Sequence, residues 1–334
     1  MLRTLRGLAL FLVEQVIYTQ NDQSLHLLTK PFDICRRFYD LHNFDLNRMN
    51  TPALKLLYAD TNSLIYAYEQ QMPDWKAMFD EHFSDGYRLV LTEENLLEFA
   101  KSHTPAAAVT LAQRVVDLSP VWLRSFIDIQ SDEVRSFVEL HGKSDSIPTP
   151  QFYRSTFEAV SRIGERQKLG PIQFVELLSS EKAKSMVQEI HQTSANNLDV
   201  LKHATKSGAL TKGHLDLAFR NAISRRLGRG SDLTAPLTDQ SLEEAVKSCV
   251  KHQKWLLREC PSLGAEHHLA NYRSLNPNRM ARVSDAVDLT TAVAALPYVS
   301  AFITNDGFLL SGLEYVKKKM PSITAMLIRR PNAA

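Results

Sequence analysis

Five carboxylates stand where a chain of alternating strands and helices would turn. Asp60 directly follows the apolar run Lys55-Leu56-Leu57-Tyr58-Ala59, and Asp306 comes two residues after Ala301-Phe302-Ile303-Thr304. Glu98 lies about two helical turns beyond Tyr87-Arg88-Leu89-Val90-Leu91. Asp285 and Asp288 open another predicted helix, spaced so that they share a face. Carboxylates brought together repel unless a cation neutralises them. An oxygen-only donor set, with no cysteine or paired histidine, suits Mg2+ or Mn2+. One or two such ions (roughly 3.5–4 Å apart when paired) activate a water and stabilise a leaving oxygen in phosphodiester hydrolysis. The expected ligands are Asp60, Glu98, Asp285, Asp288 and Asp306, of which Asp60, Glu98, Asp288 and Asp306 form the catalytic set. Asn62 and Thr304 are expected to orient ligands or substrate phosphate. Each acid also has an ordinary role. An Asp after a strand caps a helix or forms a turn, Glu98 fits a surface charge, and Asp288 fits a pair with Arg282.

The elements that must position these groups follow from hydrophobic pattern. Residues 55–59 read as a strand feeding a helix over Ser63–Gln70, and 87–91 as a second strand, with Thr92 as N-cap of the next helix. A helix from Asp285 to about Ala295 precedes a strand at 301–304, a helix to about Lys319 and a closing strand at Thr324–Ile328. Alternation of this kind predicts a parallel sheet whose functional groups gather beyond the carboxyl ends of its strands. Between the two halves, 105–278 shows almost no strand signal. It offers amphipathic stretches at Val121–Leu140, Phe152–Arg166, Gln173–Glu189, Lys212–Leu227 and Leu242–Arg258. The expectation is therefore an α/β fold, a central parallel sheet of four to five short strands flanked by helices, built from 51–104 plus 279–330. An all-α insertion or lobe would occupy 105–278, and an extension, helical or poorly ordered, 1–50.

At these residues the chain resembles the PIN-domain family of metal-dependent nucleases. The matching stretches are Leu56-Leu57-Tyr58-Ala59-Asp60-Thr61-Asn62, Leu91-Thr92 through Leu97-Glu98, Ser284-Asp285-Ala286-Val287-Asp288 and Phe302-Ile303-Thr304-Asn305-Asp306, in that order. The likeness covers about Lys55–Ser102 and Arg282–Ile328. It implies a central parallel sheet, an acidic site and cleavage of single-stranded or structured RNA, with a role as the toxin of a toxin–antitoxin or defence pair among those it allows. Asp285 matches on the small residues that follow it and Asp288 on its spacing to Thr304, so the third ligand stays open between them, with Asp288 ahead. The alternative is a PIN-like module, catalytically weak or silent, that binds RNA or a protein.

Composition constrains the rest. A net charge of +2 gives no global basic field, so any steering of nucleic acid must be local. The best basic cluster is Arg220, Arg225, Arg226 and Arg229, where phosphate-backbone contact competes with a plain solvated helix end. Cys35, Cys249 and Cys260 make neither a disulfide framework nor a zinc spacing, which predicts a reducing, cytoplasmic setting. Gly7–Val13 behind Arg3 and Arg6 is too short to span a bilayer and lacks a cleavage site. An amphipathic docking helix or an over-extended start is expected there, and no transmembrane segment elsewhere. His252, His267 and His268 are expected on the surface.

Overall fold

Strand β1 (Lys55–Ala59) divides the molecule into layers. Leu56 and Tyr58 enter the core on one side of the sheet, Leu57 and Ala59 the core on the other, following the two-residue period of a strand. Helices cover both faces, so after the exposed Lys55 the strand is apolar at Leu56–Ala59 instead of alternating with polar residues. The computed structural model describes residues 54–99, 104–140, 152–153, 158–159, 192, 212–231, 235–274 and 291–329. Asp285, Asp288, Cys35, the N-terminal run and the Gln173–Glu189 stretch lie outside them.

The sheet has six strands: β1, β2 (Tyr87–Leu91), β3 (Val121–Leu123), β4 (Phe152–Tyr153), β5 (Ala301–Ile303) and β6 (Met326–Ile328), in the order β4-β3-β2-β1-β5-β6. Every neighbouring pair is parallel except β3 with β4, and Tyr58 sits between Val90 and Phe302. Helices α1 (Thr61–Leu64), α2 (Pro73–Ser84), α3 (Glu93–Phe99) and α4 (Pro105–Asp117) connect the first three strands, and α5 (Phe126–Glu139) follows β3. Next come α6 (Lys212–Arg229), α7 (Asp239–Lys251), α8 (Gln253–Glu259) and α9 (Pro261–Ser274); α10 (Gly307–Lys319) joins β5 to β6. The α1 helix runs on into a π-helical turn, Ile65–Glu69, a departure common beside functional sites.

Two corrections to the expected architecture follow. The sheet is larger than four to five strands and has an antiparallel edge. The additional strands, β3 and β4, come from 105–278, so that stretch is not all-helical. Val121–Leu140, expected as one helix, begins as the strand Val-Trp-Leu; Ser125 then caps α5 by accepting from Asp128 N at 3.3 Å. A three-residue strand is too short to print its own period on the sequence. The expected helix Leu242–Arg258 is likewise two helices, meeting at His252.

One sheet face packs on α5, α9, α10 and the helical residues 291–295; the other packs on α1, α2, α4 and the π turn, where Tyr68, Trp75 and Phe79 lie. A third core joins Val134 and Phe137 of α5 to Ile223 and Leu227 of α6, Val246 and Cys249 of α7, and Leu256 of α8. Among the described residues no helix is long and apolar enough to cross a membrane.

Candidate functional site

From β1 the chain proceeds outward through β2 and β3 on one side, while β5 and β6 lie on the other. The strand order therefore switches between β1 and β5, and in an open parallel sheet the crevice beyond the carboxyl ends at such a point is where ligands bind. Asp60 leaves β1 there and Thr304 leaves β5.

Asp60 has the extended backbone of an N-cap residue, and its Oδ1 accepts from Ser63 N at 2.7 Å, so the cap role expected of an Asp after a strand is realised. Its Oδ2 accepts from the Thr304 hydroxyl at 2.6 Å and from Asn305 N at 3.1 Å. Burial pushes the carboxyl up from its ordinary range, and these donors pull the other way. Thr304 and Asn305 thus fix the orientation of the Asp60 carboxylate.

Glu98 is no surface charge: it is 4% exposed. Its Oε2 accepts from the hydroxyl of Thr61, the residue after Asp60, at 2.7 Å. The Thr61 hydroxyl accepts in turn from Asn95 Nδ2 at 3.1 Å, and the same amide nitrogen donates to the Tyr58 hydroxyl at 3.1 Å. Burial drives the Tyr58 phenol well above its ordinary range, with the charges of Glu98 and Asp60 adding to the effect. Its hydroxyl also bonds to Thr291. The four side chains Thr61, Asn95, Tyr58 and Thr291 carry no sequence signal of their own, because their partners come from distant segments. Asn62, expected to orient ligands, is exposed, and its neighbour Thr61 is the residue that bonds to Glu98.

Asp306 is partly exposed. Its Oδ1 caps α10 by accepting from Phe308 N at 2.7 Å and Leu309 N at 2.9 Å, while its own N–H donates to Thr304 Oγ1 at 3.0 Å. It therefore sits one hydrogen bond from the residue that holds Asp60. Asp285 and Asp288 fall outside the described residues. Among those described, no three His, Cys, Asp or Glu side chains gather closely enough to hold a metal ion.

The basic cluster does not act as a unit. Arg226 is 2% exposed and pairs with Glu266 at 3.0 Å while donating to Gln130 Oε1 at 2.7 Å, which removes it from the expected phosphate contacts. Helical phase turns it inward as Arg220, Arg225 and Arg229 stay exposed; Arg229 lies 4.0 Å from Asp128. His267 and His268 are half-buried on α9 rather than on the open surface, their rings 5.4 Å apart.

A second set of buried polar groups lines α5. Arg124, just past β3, pairs with Asp132 at 2.6 Å, and Ser231 donates to the other oxygen of Asp132 at 2.6 Å. Glu133 accepts from Ser262 N at 2.8 Å and Leu263 N at 3.2 Å, so a side chain of α5 caps α9, and the Tyr298 hydroxyl bonds to it as well. Burial pushes its carboxyl up to about 7, against the pull of these donors and of Arg226.

Comparison with family models, with curated proteins and with solved structures finds no match to the chain.

Proposed function

We propose that this chain is a PIN-like endoribonuclease that depends on Mg2+ or Mn2+. One observation carries the proposal: Asp60 and Glu98, 38 positions apart in sequence, are both buried at the carboxyl edge of a parallel sheet, and Thr61, the residue after Asp60, donates its hydroxyl to Glu98. Burying two carboxylates near each other is costly unless a cation offsets their charge. Hard oxygens at that position fit a small divalent ion. Asp60 and Glu98 would hold the ion, and Asp306 would approach it from β5. Asp285 or Asp288 would complete the set; both shortly precede Thr291, which bonds to Tyr58 beneath the pair. When bound, the ion supplies a Lewis acid for the phosphate and lowers the pKa of water.

The chain's own groups do the positioning. Thr304 and Asn305 fix the rotation of Asp60, and Thr61 fixes that of Glu98. Incubating RNA with the purified chain in Mn2+ and then with chelator tests the proposal, with Asp60→Asn as control. Divalent-dependent cleavage that disappears in the variant is expected. Equal cleavage by the variant sinks it.

A second reading, a silent PIN-like module that binds RNA, is favoured by one fact: Asp60 and Asp306 each already cap a helix. RNA retention without divalent-dependent cleavage would select it.

A further inference from the structure

The hydrogen bonds around Glu98 have a fixed direction. A backbone N–H can only donate, and Thr92 N donates to Asn95 Oδ1 at 2.9 Å, the back-reaching half of a capping box. That bond alone decides which way the Asn95 amide faces. Nδ2 must then point at Tyr58 and Thr61, and donates to both hydroxyls. The Thr61 hydroxyl, having accepted from Nδ2, sends its single hydrogen to Glu98 Oε2 at 2.7 Å. Asn95 and Glu98 lie three apart on α3, on one face of the helix, so the segment that carries the carboxylate also carries the group that aims its donor. Every member of this chain is buried.

We propose that Thr61 and Asn95 are positioning residues for a divalent metal ion. Asn95 locks the Thr61 hydroxyl so that it always donates to Glu98, which fixes the rotation of that carboxylate before the ion arrives. The proposal rests on the function proposed above, since it takes Glu98 as a metal ligand. Groups that orient a ligand in this way are worth roughly 10–100-fold in metal affinity.

The test is Mn2+ affinity of the full chain, by calorimetric titration, in wild type, Thr61→Val, Thr61→Ser and Thr61→Cys. Valine keeps the shape of threonine and removes the hydroxyl; serine keeps the hydroxyl and removes the methyl. Positioning predicts about tenfold weaker binding for Thr61→Val, near wild-type binding for Thr61→Ser, and an intermediate value for Thr61→Cys, a weaker donor of similar size. A merely packing role predicts the opposite order, with serine worse than valine, and overturns the proposal. Should Thr61→Val fail to fold, the ranking of Ser above Cys decides. Wild type that binds Mn2+ no better than Thr61→Val overturns this inference alone. Wild type that takes up no Mn2+ overturns the proposed function along with it.

Discussion

Two regions of this molecule bury carboxylates, and they neutralise them differently. Along α5, Asp132 meets Arg124, Glu266 meets Arg226, and Glu133 meets the N-terminus of α9. Each negative group there has a cationic or helix-dipole partner supplied by a neighbouring element. At the β1–β5 crevice the donors that reach Asp60 among the described residues are hydroxyls and backbone amides, all neutral. Neutral donors orient a carboxylate without cancelling its charge. The first arrangement is complete as it stands and ties helices together; in the second, the proposed divalent ion would supply the cancellation. Burial alone therefore does not separate the two regions, whereas the charge of the described partners does.

The largest effect should come from breaking the closed region. Arg226→Met leaves Glu266 buried without its cation, which costs about 3–5 kcal/mol, measurable as a lower urea midpoint. The double change Arg226→Met with Glu266→Leu should recover most of that loss, because the stranded charge is gone. A double variant as unstable as the single one would show that the pair is needed for more than mutual neutralisation. Next comes Glu133, whose carboxyl rises from 4.5 to about 7 on folding. Between those values the folded chain keeps a proton that the unfolded chain has released. The stability from this group is complete below about 4.5 and is lost as pH rises through about 7, a swing of about 3 kcal/mol. Glu133→Gln cannot titrate, so its stability should stay flatter than wild type over that window in denaturation curves taken at successive pH values.

How much of this was legible depended on how far each partner lies in sequence. Strands β1 and β2 were readable to the residue, since a mostly apolar five-residue run ends sharply at Asp60 and at Thr92. That Asp60 and Thr304 meet was readable because strand ends in a parallel sheet gather at one edge. Strand β3 was not, because Val-Trp-Leu merges with the amphipathic pattern of α5. Thr61 and Asn95 are ordinary by type, and what they do is set by partners 34 and 37 positions away. Nor could a sequence tell Arg225 from Arg226, since the distinction is made by Glu266 on another helix.

The open region should respond more mildly in stability than in chemistry. In Asp60→Asn the new side chain is as good an N-cap as the old one, and it removes a buried charge. Against that, its amide nitrogen faces Asn305 N–H where an oxygen had accepted. The net change should be within about 1 kcal/mol, far below that of Arg226→Met. A loss of stability as large as that of Arg226→Met would place Asp60 among the structural carboxylates and erase the contrast between the two regions.

The smallest effect is expected one residue from the largest. Arg225 is exposed on the same helix turn as Arg226, so Arg225→Ala should change stability by no more than about 0.5 kcal/mol. If the proposed RNA path crosses this helix end, the variant should nevertheless bind RNA with a weaker salt dependence. Each phosphate that the protein no longer neutralises lowers the slope of log K against log salt by about 0.7 for a single strand. An unchanged slope would remove Arg225 from the proposed nucleic-acid contacts. Because the two neighbours differ in burial but not in side-chain type, comparing Arg225→Ala with Arg226→Met measures what burial beside Glu266 adds to the role of a charge.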